Sequence, residues 1–138
     1  MKEFVIFRLS LDGYGSGKFS SDIMCDLGSF FSTDYRLYGY DFLIEWANDP
    51  EQDGTNANIT YLEKKDGMVS IGDLLYDEEP FETFDLTIEQ FTKLLNDWER
   101  VTTQKFKEIV ITKDGSKITV EGKNEFSTPP RIVERRKK

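Results

Sequence analysis

Apolar side chains recur at every second position over residues 3–11. Val5, Phe7, Leu9 and Leu11 share one side, and Phe4, Ile6, Arg8 and Ser10 share the other, a pattern that predicts a strand. The same alternation returns over 36–46, where Tyr38, Tyr40, Phe42, Ile44 and Trp46 oppose Gly39, Asp41 and Glu45, and a second strand is expected there. The period changes over 87–102. Ile88, Phe91, Leu94, Leu95, Trp98 and Val101 form one helical stripe. Thr87 and Gln90 have capping-box spacing at its start, Leu86 and Phe91 are placed as a hydrophobic staple, and Asp85 and Glu89 suit the positive end of the macrodipole. Residues 20–31 are ambiguous. Ile23, Leu27, Phe30 and Phe31 have helical spacing behind a serine, which reads as a second, shorter helix, and Gly28 counts against it.

Turn chemistry organises the rest. Asp66-Gly67 lies inside "ITYLEKKDGMVSI" and Asp114-Gly115 inside "EIVITKDGSKITVEG"; each predicts a hairpin closed by a type I′ turn, whose two central residues both need φ > 0. Strands are therefore expected near 106–112 and 116–121. "DGYGSG" (12–17) reads as a flexible turn and residues 48–58 as a polar loop. These elements predict an α+β fold: an antiparallel β-sheet with one long amphipathic helix, about 87–102, packed on a face. Residues 1–125 are expected to form a single globular domain. Residues 126–138 carry Pro129-Pro130 and lose periodicity, which predicts a basic, disordered tail.

Composition narrows the chemistry. Eleven Phe, six Tyr and two Trp supply large groups for a core, and the one cysteine, Cys25, cannot form an internal disulfide. The apolar run at the N-terminus is broken by Glu3 and Arg8, unlike a signal peptide, and no stretch approaches the roughly 20 apolar residues of a membrane span. A cytoplasmic protein without a membrane partner is expected. The chain has no histidine, which removes Ser-His-Asp and Cys-His catalysis and the commonest general base near neutral pH. With a single cysteine, a zinc site of the usual Cys/His kind is nearly excluded as well. The expectation is a non-enzyme with no metal and no cofactor.

Three motifs point toward chemistry and fail. "GYGSGKFS" approaches a phosphate-binding loop, but Phe19 follows Gly17-Lys18 where a hydroxyl should hold magnesium, and Asp12 replaces the first glycine. "DPEQDGTNANIT" places Asp49, Glu51, Asp53 and Gly54 at the first half of a calcium loop, but Thr60 stands where a bidentate glutamate belongs. Glu78, Glu79 and Glu82 are too crowded to divide into a catalytic acid and base.

Charge is the stronger signal. The net charge is −8, yet residues 131–138 carry five basic side chains and one acidic, leaving 13 basic and 25 acidic side chains on residues 1–130. Such a body repels nucleic acid and anionic membranes and attracts cationic macromolecules. From Asp73 to Phe91 there are seven carboxylates and no lysine or arginine, interleaved with Leu74, Leu75, Tyr76, Phe81 and Phe84. Exposed charge commonly serves solubility alone, but aromatic anchors within a charged rim are an interface pattern. Tyr76, Asp77, Glu78, Glu79, Phe81, Glu82 and Asp85 are the candidate partner-binding residues.

The stretch "FDLTIEQFTKLLNDWERVTTQKFKEIVITKDGSKITVEG" (84–122), a little over a quarter of the chain, resembles the C-terminal helix–strand–strand part of small bacterial immunity proteins, which guard cells against polymorphic toxins such as those of contact-dependent growth inhibition. The resemblance rests on the capped helix Thr87–Val101 with Trp98 and on "KEIVITKDGSKITVEG". It implies a cytoplasmic protein that binds one cognate toxin domain, often a basic nuclease, and that needs no catalytic residue. The basic tail departs from a uniformly acidic inhibitor. The rival expectation is an acidic mimic of nucleic acid, a decoy or adaptor that binds several nucleic-acid-handling proteins. A carboxylate enzyme, with or without a metal, is a third.

Overall fold

The computed structural model describes residues 2–74 and 83–125. The fold is α+β, with two four-stranded antiparallel sheets where one was expected. The first has the order β2-β1-β7-β8, from β1 (Lys2–Ser10), β2 (Gly13–Phe19), β7 (Glu108–Asp114) and β8 (Lys117–Lys123). The second has the order β3-β4-β5-β6, from β3 (Gly54–Asn56), β4 (Thr60–Lys65), β5 (Met68–Asp73) and β6 (Phe84–Thr87). Helices α1 (Asp22–Ser29), α2 (Tyr35–Tyr38) and α3 (Tyr40–Asn48) follow β2, with a π-helical turn at Phe30–Asp34 between the first two, and α4 (Ile88–Thr103) follows β6. Both sheets and all four helices contribute to one hydrophobic core, including Phe7, Leu27, Tyr35, Leu43, Ile71, Phe91 and Ile111.

α4 begins as the sequence predicts. The Thr87 hydroxyl accepts from the Gln90 amide at 3.0 Å, and the Gln90 side chain accepts from the Thr87 amide at 2.8 Å, completing the capping box. Phe91, Leu94, Leu95, Trp98 and Val101 are buried along the predicted stripe. The shorter helix also forms. Ser21 caps α1, and the glycine that counted against it explains where it packs: a Cβ at Gly28 would lie 2.9 Å from Ser16 Cβ and 3.1 Å from Val5 Cγ2, so its absence lets α1 sit directly on β1 and β2.

The strand expected over 36–46 is helical. Its aromatic and β-branched residues mimic an exposed strand, but burial follows the helical period: Tyr35, Leu43, Trp46 and Ala47 face the core, and Phe42, the centre of the apparent alternation, is 43% exposed. Gly39, at φ +88°, separates α2 from α3. Residues 12–17 are not a flexible turn. Gly13–Phe19 form β2, with a bulge against β1 between Ile6 and Phe7, and the turn is confined to Leu11-Asp12. Within the expected polar loop 48–58, Gly54–Asn56 pair with β4 as an edge strand.

Both hairpins form, with different turns. Asp66 (φ 54°) and Gly67 (φ 79°) are the central residues between the paired Lys65 and Met68, as a type I′ turn requires. In the second hairpin Asp114 is still in the strand, opposite Lys117. The central residues are Gly115 and Ser116 and only the glycine has positive φ (64°), which corresponds to a type II′ turn rather than I′.

Candidate functional site

The two-residue period of the second sheet sorts its side chains. Leu62, Val69, Ile71, Phe84 and Leu86 point to the core and are at most 1% exposed. The opposite face presents Tyr61, Glu63 and Lys65 from β4, Met68, Ser70 and Gly72 from β5, and Asp85 from β6. Glu63 lies opposite Ser70, and Ser70 opposite Asp85, so both carboxylates flank one serine across three strands. The Asp85 carboxylate accepts from Ser70 Oγ at 2.7 Å and from Thr83 Oγ1 at 2.6 Å, which fixes it on the surface. The Tyr61 ring lies over Gly72: a Cβ there would be 2.3 Å from the ring's Cζ. Among the described residues of these strands, Lys65, at the Asp66-Gly67 end, is the cation on this face.

More carboxylate gathers at the other end, where α1 packs against β5. Asp26 is 8% exposed, and burial, reinforced by Asp73 and then Asp22, pushes its carboxyl up to about 7. The same surroundings raise the Cys25 thiol, first through burial and then through Asp26, Asp73 and Asp22, so this cysteine is held away from the reactive thiolate form. Tyr61 is likewise raised, by burial and then by Glu63, Asp26 and Asp85, a coupling that spans the carboxylates of both ends. β5 ends at Asp73, beside this acidic end.

The raised Asp26 pKa has a measurable consequence. Below about pH 4 the carboxyl is protonated in both folded and unfolded chains. Between about 4 and 7 the unfolded chain ionises it while the folded chain keeps its proton, so stability falls as pH rises and levels off above 7. Asp26→Asn is expected to abolish that segment of the pH profile and to stabilise the protein at pH 8 by on the order of 2 kcal/mol, measured by urea unfolding at several pH values. A wild-type profile that runs parallel to the variant's from pH 4 to 8 would contradict this.

Of the candidate partner-binding residues, Asp85 is exposed on this face. Tyr76, Asp77, Glu78, Glu79, Phe81 and Glu82 lie outside the described residues. Phe84, counted among the interleaved aromatics, is a core residue at 1% exposure and cannot anchor a partner, whereas Leu74 is 41% exposed. The reading by composition missed Tyr61, Glu63 and Ser70. The alternation of the first hairpin about Leu62 was the signal that could have placed them together, facing away from the core.

The phosphate-loop and calcium-loop segments have structural roles instead. Gly13–Phe19 is a strand. Thr60, at the calcium loop's twelfth position, is fully buried and donates to Asp34 Oδ2 at 2.6 Å. Among the described residues no group of three or more Cys, Asp or Glu is arranged to hold a metal ion, and no helix is long and apolar enough to cross a membrane. Comparison with protein-family models, with curated proteins and with solved structures finds no match to this chain.

Proposed function

We propose that this chain is a non-catalytic immunity protein that neutralises a cognate toxin domain, a basic nuclease, by binding it through the acidic outer face of the second sheet. The observation that supports the reading is the exposed charge on that face: Glu63 and Asp85 stand exposed beside Tyr61 and Met68, and Asp22 and Asp73 add carboxylates at its α1 end. A nuclease toxin must carry a cationic surface to hold phosphates. A pre-ordered carboxylate face is complementary to such a surface, speeds encounter at low salt, and requires no general base. In this reading the carboxylates pair with lysines and arginines of the toxin, and Tyr61, Met68 and Leu74 supply apolar contact within the charged rim.

Co-expression with a toxin domain encoded immediately upstream, scored by cell survival, is the direct test. With the purified pair, Glu63→Gln combined with Asp85→Asn is expected to slow association roughly tenfold at low salt and much less at high salt, because the lost contribution is a screened one. Survival and salt dependence unchanged by the double variant would remove this face from the interface. Capture of many unrelated nucleic-acid-binding proteins in place of one toxin would identify a general charge mimic instead.

A further inference from the structure

β8 ends the first sheet, and no described strand pairs with its outer side. The Gly115-Ser116 turn leaves Asp114 and Lys117 as the flanking pair. In a two-residue hairpin that pair exchanges both backbone hydrogen bonds, and the pattern then alternates along the strand. The backbone groups of Lys117, Thr119 and Glu121 therefore point at β7, and those of Ile118, Val120 and Gly122 point outward. Edges are ordinarily blunted by proline, by a bulge, or by charged side chains. β8 has no proline and pairs with β7 in unbroken register, and its charges are of both signs, so those of two copies can pair rather than repel. Lys117, Thr119 and Glu121 form its exposed face, while Ile118 and Val120 are half-buried against the core.

We propose that two copies of this chain associate through β8, antiparallel about a twofold axis at Thr119, and so join their first sheets into one continuous sheet. In this register Ile118 of each copy meets Val120 of the other in the hydrogen-bonded positions, which uses the outward amides and carbonyls of both. Lys117 then faces Glu121 of the second copy twice over, and Thr119 faces its own counterpart, all in the non-hydrogen-bonded positions where side chains come closest. Charge selects this register over its neighbours. Moving the axis to Val120 sets Lys117 against Lys123, and moving it to Glu121 sets that carboxylate against itself; a shift by one residue would turn the outward groups away. Lys123 falls opposite Gly115 of the second copy, so the paired strands end at the partner's turn.

Sedimentation velocity from about 5 to 500 μM, a range suited to an interface this small, tests the proposal. The wild-type mass is expected to rise from 16.1 kDa toward twice that value with concentration. Glu121→Lys creates two like-charge pairs and is expected to weaken the dimer roughly tenfold or more, as is Lys117→Glu. The exchange K117E/E121K is expected to restore wild-type affinity within about threefold. Both positions are exposed, so the fold is retained in each variant, as circular dichroism will verify. A wild-type monomer across the whole range, a Glu121→Lys protein that dimerises like wild type, or an exchange variant that fails to recover would each overturn the proposal.

Discussion

Replacing Trp98 by alanine is expected to remove about 3–5 kcal/mol of stability, a large share of the roughly 5–15 kcal/mol that a domain of this kind possesses. The Trp98 ring, 4% exposed on α4, is where several elements meet. Its centroid lies 4.7 Å from Phe7 of β1, 4.4 Å from Phe31 of the π-helical turn and 6.0 Å from Tyr14 of β2. Alanine would leave a cavity whose walls belong to three different parts of the chain, so no single rearrangement can close it. Urea unfolding should show a lower midpoint with an unchanged slope. A loss below about 1.5 kcal/mol would mean that these rings do not hold the first sheet to α4.

Asp34→Ala is expected to cost about 3–4 kcal/mol, for a different reason. Asp34 is fully buried, and its carboxylate accepts from the amides of Asn58, Ile59 and Thr60 and from the Thr60 hydroxyl, at 2.6–3.2 Å. These donors lie at the entry to β4, so Asp34, at the end of the π-helical turn between α1 and α2, ties the helical segment to the start of that strand. Alanine strands the Thr60 amide and hydroxyl without an acceptor in a dry site, and the cost of unsatisfied buried donors exceeds the value of the bonds themselves. Asp34→Asn keeps an acceptor oxygen and is expected to lose about half as much. Equal losses for the two variants, by the same unfolding measurement, would show that charge rather than hydrogen bonding is what the site requires.

Much of this architecture was legible because local signals agreed with each other. Thr87, Gln90 and the stripe from Ile88 to Val101 all specify the same helix, and each has the predicted role in the structure except Ile88, which is only partly buried. The Asp-Gly pairs located both hairpins, although Asp114 stayed in its strand and moved the second turn by one residue. The failures came where propensity and tertiary packing disagree. Tyr38, Tyr40, Phe42, Ile44 and Trp46 are good strand formers, and no local feature shows that Tyr35, Leu43, Trp46 and Ala47 will be the buried set. Gly13–Phe19, with three glycines, reads as a turn until β1 provides a partner. The site was only partly legible for the same reason. Consecutive carboxylates are visible in a sequence, but Glu63 and Asp85 are 22 residues apart and become neighbours only through the pairing of β4, β5 and β6.

The wiring of the two sheets also sets the order in which this chain can fold as it is synthesised. The second sheet is a meander of sequential neighbours, completed once residue 87 is free of the ribosome. The first sheet cannot close until β7 arrives, because Val5 waits for Ile111 and Phe7 for Ile109, a loop of about a hundred residues whose closure is entropically slow. For that interval the nascent molecule displays its carboxylate face on a finished meander while β1 has no permanent neighbour on one side. During translation, the acidic surface therefore precedes the stability that later secures it.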